Sequence, residues 1–195
     1  EIIVALPFDE TYVTDWNAFD FHMYSLQPEN QATYNFKATP WGGACVIPQY
    51  IESFDPDDQR LKDDFISGPQ YDKNGGVLYC TMGNMKGKPL DYVNKVNSID
   101  DSDENQGWRW GKFEYAEGIT NRLSNDFPLL RYADVYLMKA EALLRTGHAD
   151  EAAELVTKVR ERNFTEHPAK AIVTGEQLQE TSCYDYGRRD NVKST

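Results

Sequence analysis

The stretch from Leu129 to Arg162 constrains the fold most, because two helical periodicities follow one another across a very short link. From Leu129 to Thr146 the residues Ala133, Leu137, Ala140 and Leu144 define one apolar stripe. Val135, Met138, Ala142 and Leu143 define a second, which predicts a helix buried on more than one side. Pro128 stands just before the run, where a missing N–H costs little, and Gly147 follows the basic residue Arg145 as a helix-ending glycine. From about Asp150 to Arg162, Ala152, Leu155, Val156 and Val159 recur at helical spacing, while Glu151, Glu154, Lys158 and Glu161 point to water. The link Gly147-His148-Ala149 is short enough to make the two helices antiparallel neighbours.

Small residues such as Ala140 and Ala153 allow close packing, so the pair resembles a tetratricopeptide hairpin. One hairpin cannot bury its own apolar faces, and the rest of the chain is expected to cover it. The remainder has a different texture. Residues 1–128 are loop-rich, 129–163 form the hairpin, and 164–195 read as an irregular tail. Ile2 to Phe8 reads as a strand, Asp15 to Tyr24 is ambiguous, and Gln27 to Ala44, broken by Pro28 and Pro40, reads mostly as loop. Pro48 to Phe54 suits a short helix, and Leu61 to Ile66 suits either helix or strand. Gly75-Gly76 ahead of Val77-Leu78-Tyr79-Cys80 signals a hairpin. Trp108 and Trp110 flank Arg109 at the spacing that puts both rings on one face of a strand, where core packing is expected. The fold class is therefore mainly α, with extensive irregular loops, a few short strands and one helical hairpin.

Charge and cysteine usage exclude several functions. A net charge of -12 repels a phosphate backbone, and the basic clusters Lys158-Arg160-Arg162 and Arg188-Arg189 have acidic neighbours, so nucleic acid is not an expected partner. Cys45, Cys80 and Cys183 are widely spaced and fit neither a disulfide framework nor a zinc site. His22, His148 and His167 are scattered without metal-ligand spacing. The acidic run Asp100 to Gly107 has alternating oxygen ligands at Asp101, Asp103 and Asn105. Its glycine falls one place late and Lys112 stands where a calcium loop needs Glu, so a solvated loop is expected. No metal and no cofactor are predicted. The run Ile2 to Leu6 is too short to cross a bilayer.

Within the hairpin, Arg131, Asp134, Lys139 and Glu141 interrupt an apolar helix, and Arg131 can meet Asp134 across one turn. These charges read as organisers of packing rather than as a catalytic dyad. The string Arg131-Tyr132-Ala133-Asp134-Val135-Tyr136-Leu137-Met138-Lys139-Ala140-Glu141-Ala142-Leu143 resembles the "RYADVLLMYAEAL" hallmark of SusD/RagB proteins. As in that family, a glycine and an "EA…VR.R" helix follow, here Glu151-Ala152 through Val159-Arg160-Glu161-Arg162. Pro48-Gln49-Tyr50-Ile51, Asp57-Asp58-Gln59-Arg60 and the opening Glu1 to Asp9 are similar to weaker family elements, and Lys112 falls where a basic residue precedes the hallmark helix. The motif residues Arg131, Tyr132, Ala133, Asp134 and Glu141 are expected to be structural.

The resemblance spans about residues 1 to 163 and implies a carboxyl-side portion of a SusD-like domain. The family's amino-terminal helical half, its lipid-carrying cysteine and its terminal "ER..E…EG.R..DL.R" segment are not found in the sequence. It implies a non-catalytic lipoprotein on the outer face of a Bacteroidetes-type outer membrane, held by a lipid anchor absent from this chain. Its expected partners are an oligosaccharide or polysaccharide and a SusC-like TonB-dependent transporter, to which it delivers the glycan for nutrient uptake. The family fixes no sugar-binding residues, so residue chemistry must choose them. Trp41, in a polar loop flanked by Gly42 and Gly43, is the leading platform for a sugar face; Trp16, Tyr24 and Tyr34 share its amide-rich region. Asn35, with Asn17, Asn30 and Gln31, supplies amides to orient hydroxyls, although loop packing is the competing reading for each of these residues. Two other functions compete: a tetratricopeptide-like module that binds protein without glycan, and a glycoside hydrolase. The hydrolase requires carboxyls roughly 5 to 9 Å apart across a cleft, and no candidate pair stands out.

Overall fold

The computed structural model describes residues 2–13, 18–98 and 102–182. In chain order its elements are β1 (Ile2–Leu6), α1 (Phe21–Ser25), α2 (Gln31–Tyr34), α3 (Pro48–Glu52), α4 (Arg60–Asp63), β2 (Phe65–Ile66), β3 (Gly68–Pro69), β4 (Asp91–Tyr92), β5 (Arg109–Trp110), β6 (Phe127–Arg131), α5 (Tyr132–Arg145) and α6 (Ala149–Arg160). Short 3-10 turns punctuate the chain, including Pro28–Asn30 and Gly83–Met85. Outside the hairpin no described α-helix exceeds 5 residues, so the expected mainly-α class becomes a mixed one with most of its helix in α5 and α6. Among the described residues no helix is long and apolar enough to cross a membrane.

The chain divides into two units. Among the described residues, the first comprises 2–7, 55–60 and 126–182. Here β1 pairs antiparallel with β6, setting Leu6 opposite Phe127 and Ala5 opposite Pro128. A two-stranded ribbon has an unpaired side on each strand, which is where Pro, lacking a donor, is tolerated. The helix therefore starts later than its periodicity suggests: Leu129 and Leu130 belong to β6, and Pro128 lies within a strand rather than at a helix start. Arg131 is the extended N-cap of α5, and its backbone N–H donates to Asp134 Oδ2 at 2.7 Å. That bond satisfies a donor at the strand–helix junction, and it is one half of a capping box.

At the other end of α5, Gly147 adopts φ +86° and the His148 N–H returns to the Leu143 carbonyl at 2.9 Å. The left-handed step requires a residue without a Cβ and turns the chain straight into α6. Ala140, Ala152 and Ala153 are buried, as close packing of two helices demands. Lys158 Nζ from α6 sits 5.2 Å from the centre of the Tyr136 ring on α5. One expectation fails. Val135, Leu137 and Met138 are exposed, and Ala140 is the only buried residue of α5, because within this unit α6 is its main packing partner and covers a single face. Beyond α6, Arg160 fixes the returning chain by donating to the carbonyls of Ala171 (3.0 Å) and Lys170 (2.8 Å) while lying over Phe164. Lys170 in turn bridges Asp55 at 2.8 Å and Asp57 at 2.5 Å.

Among the described residues, the second unit comprises Phe8–Phe54 and Leu61–Asn125. It has little regular structure and is organised by three apolar clusters. Phe19, Leu26, Phe36, Tyr115, Ile119 and Leu123 form the first; Val46, Ile51 and Phe65 form the second; Cys80, Leu90 and Tyr92 form the third. Trp108, which bridges Val46 just before β5, and Trp110 on β5 both pack against the second cluster, as their alternate spacing predicts. The short helix expected from Pro48 is present as α3, and the stretch after Gln59 resolves into both alternatives, helix α4 and then strand β2. Gly75 and Gly76 do lie in a chain reversal, in which the Asp72 N–H donates to the Gly76 carbonyl at 2.8 Å and Tyr71 bridges Val77. Gln27 to Ala44, expected as loop, contains a 3-10 turn beginning at Pro28 and the helix α2.

Candidate functional site

The loop carrying Trp41 is laced along α1 by backbone bonds. The Trp41 N–H donates to the Met23 carbonyl (2.8 Å), Gly42 to Leu26 (3.0 Å) and Ala44 to Tyr24 (2.9 Å). Gly42 has φ +75°, and a Cβ there would stand 2.7 Å from Gln27 Oε1, so only glycine lets the loop approach this closely. The result is a fixed, outward-facing indole: Trp41 is 51% exposed, and Tyr24, 52% exposed, meets it edge-on at 4.8 Å between ring centres. Edge-on contact suits the ring quadrupoles and leaves aromatic surface open to solvent.

Trp41 lines a cleft of about 620 Å³ together with Gln27, Met82, Ser98, Asp103 and Glu104. Beneath it a polar framework holds the wall in place. The Gln27 side-chain amide donates to the Glu104 carbonyl at 3.2 Å, and Arg109 donates to the same carbonyl at 2.7 Å. Arg109 is 2% exposed and its guanidinium lies 4.7 Å from the centre of the Tyr92 ring. The Tyr92 hydroxyl donates to Asn30 Oδ1 at 2.5 Å and accepts from the Gln27 N–H at 3.3 Å. Burial pushes the Tyr92 phenol up to about 12, against the opposing pull of Arg109. Glu104 is buried, and its carboxylate accepts the backbone N–H groups of Met82 (2.9 Å) and Thr81 (3.4 Å), which tethers the 3-10 turn at Gly83 to the cleft wall. At Gly107, φ +76° and an imagined Cβ only 2.5 Å from Cys45 Sγ again leave room for glycine alone.

A smaller apolar depression of about 220 Å³ shares Cys45 with the cleft and is walled by Phe21, Tyr24 and Trp110. Phe21 meets Trp110 edge-on at 5.7 Å. Exposed aromatic rings are thus disposed on and beside the cleft.

The candidate residues separate. Trp41 lines the cleft, and Tyr24 meets it from the adjoining apolar depression. Tyr34 does not line it: the ring stacks on Phe36 at 5.0 Å, meets Tyr115 edge-on, and its phenol is raised by burial. Asn35 is an exposed residue in the left-handed conformation (φ +53°), donating to Glu117 Oε1 at 3.2 Å. Asn30 is fully buried and bonded to Gln70 and Tyr92, and Gln31 is occupied by Thr39 and the Phe36 carbonyl, so both amides are structural. Trp16 and Asn17 lie outside the described residues, as do Asp100 and Asp101 of the acidic run. Gln27, Glu104 and Arg109 line the cleft but carried no local motif; they meet only through contacts across 77 and 5 positions of sequence. Among the described residues no group of histidine, cysteine and carboxylate side chains is placed to hold a metal ion.

The sequence model of the SusD family matches residues 1–180. Among solved structures, the crystal structure of a SusD superfamily protein from Bacteroides fragilis NCTC 9343 aligns with a TM-score of 0.50 at 20% identity, over 86% of this chain and 32% of that one. The chain thus spans about a third of the length of that structure, and at this identity the likeness bears on the fold. A search of curated proteins gave no match.

Proposed function

The chain belongs to the SusD family, and on that premise we propose that it takes part in non-catalytic capture of an oligosaccharide or polysaccharide, with the Trp41 cleft as the contact surface. The observation that carries this reading is a half-exposed indole, held rigid by its loop, beside a cleft lined with amide, hydroxyl and carboxylate groups. Sugar rings present C–H faces that stack on aromatics and hydroxyls that need fixed polar partners. Tyr24, and the Phe21 and Trp110 rings beyond it, extend the platform past one sugar unit. Family membership supports a glycan handed on to a SusC-like transporter, at the outer face of an outer membrane and through a lipid anchor. Family membership supports the non-catalytic part, and the Glu104 carboxylate is held by backbone donors of the cleft wall.

Isothermal titration of the full-length protein against a broad panel of polysaccharides tests this reading. Trp41→Ala is expected to weaken binding about fivefold, corresponding to the loss of about 1 kcal/mol of stacking, without moving the unfolding midpoint. Silence across the panel, or an affinity indifferent to Trp41→Ala, would sink it.

A second reading has its own observation. The exposed Val135, Leu137 and Met138 of α5 suit a tetratricopeptide-like hairpin that binds protein. Co-purification of a protein partner, lost in Leu137→Glu and unaffected by Trp41→Ala, is its signature.

A further inference from the structure

The charged groups of the Trp41 cleft are unequal in what they offer a ligand. Among the described residues, three strongly charged side chains line it: Asp103, Glu104 and Arg109. The single cation is spent inside the protein. Arg109 is 2% exposed, its Nη2 donates to the Glu104 carbonyl at 2.7 Å, and its guanidinium rests over the Tyr92 ring. Its Nε has no hydrogen-bond partner but is wholly buried, so reaching a ligand would require the side chain to leave Tyr92. The carboxylates differ. Glu104 is fixed by the Met82 and Thr81 N–H groups, and Asp103 is half-buried with only a long 3.4 Å contact from the Gln106 amide. Among the described residues neither carboxylate forms an ion pair. Among the described residues, a ligand entering the cleft meets the half-buried Asp103 carboxylate, with the buried Glu104 behind it and no exposed cation, within a protein whose net charge is -12.

We infer that the cleft is selective by charge: it takes neutral or amine-bearing glycans and rejects those carrying carboxylate or sulfate groups. This rests on the glycan reading of the same cleft and adds the class of glycan. Like charges a few ångströms apart in a partly desolvated cleft repel strongly, and the repulsion falls as salt screens it. Hydroxyls, in contrast, donate readily to carboxylate acceptors, and an ammonium group gains a charge-assisted bond.

The test is titration calorimetry of the full-length protein against neutral, amino, uronic-acid and sulfated polysaccharides, at low and at moderate salt. Binding that depends on Trp41 is expected with neutral or amino glycans. Acidic glycans should bind at least tenfold more weakly at low salt, and the gap should narrow in Asp103→Asn and on adding salt. Tight binding of a uronic-acid or sulfated glycan that is lost in Trp41→Ala and weakened by salt would overturn the charge selectivity while leaving glycan capture intact. Binding to no glycan overturns capture itself, and the selectivity with it.

Discussion

The Tyr92 hydroxyl sits at the centre of the buried polar framework, giving a hydrogen bond to Asn30 and receiving one from the Gln27 backbone. Tyr92→Phe removes one atom, yet it strands a fully buried amide oxygen and a backbone N–H. The expected loss is about 1–3 kcal/mol of stability, read from urea denaturation. Because Gln27 also lines the cleft, weaker glycan binding should accompany it. His22 governs a pH effect at the same scale. It is fully buried, its Nε2 lies 3.0 Å from the Thr120 carbonyl, its Nδ1 has no partner, and burial holds its pKa below the ordinary 6.5. The fold therefore prefers neutral imidazole, whereas the unfolded chain takes up a proton first as pH falls. Stability should be complete above about 6.5 and decline as pH drops from there toward the folded-state pKa, then level off for this group. NMR titration of the His22 ring should show its midpoint below 6.5, and a midpoint at or above that value would contradict the buried neutral form.

The junction of β6 and α5 concentrates the family motif into one device. Arg131 ends the strand, Asp134 accepts its N–H, and Tyr132 meets Tyr136 edge-on at 4.9 Å one turn later. Glu141, also in the motif, pairs with Arg145 at 2.6 Å on the exposed face, an i, i+4 bond of modest worth. Asp134→Ala should therefore cost about 1 kcal/mol, with Glu141→Ala costing less, in equilibrium denaturation followed by helical circular dichroism. Equal costs would mean that capping is not what the motif's acidic residue supplies. Periodicity alone places the start of the helix too early. Leu129 and Leu130 continue the apolar run in sequence, but Ile2 to Leu6 offers them a strand partner more than a hundred residues away, and no local window contains that partner.

For the molecule as a whole, the apolar residues left exposed matter most. Ile2, Ile3, Val4 and Leu6 on β1, Leu129 on β6, and Val135, Leu137 and Met138 on α5 all show large exposed fractions within one unit. Soluble monomers rarely leave so much apolar surface on neighbouring elements. The 195-residue chain by itself should bind a hydrophobic dye such as ANS in its folded state and self-associate with rising concentration. Both effects should fall in a Leu137→Gln, Met138→Lys variant that keeps its helical signal. A chain that stays monomeric and dye-free would show that this surface is covered in solution.

Local sequence determined the hairpin, since its periods, its turn glycine and its small contact residues all act within a few positions of one another. The strand character of β1, the turn at Gly75-Gly76 and the shared packing of Trp108 and Trp110 were legible for the same reason. Trp41 could be singled out because it stands in a polar loop flanked by Gly42 and Gly43, which can present an indole face. Only the tertiary structure decided that Tyr24 would join it while Tyr34 was drawn into an aromatic cluster with Phe36 and Tyr115. It alone decided that Gln27, Glu104 and Arg109 would converge on one wall. Burial and long-range hydrogen bonds carry no periodicity, so identical residue types in neighbouring loops take opposite roles once the chain has closed on itself.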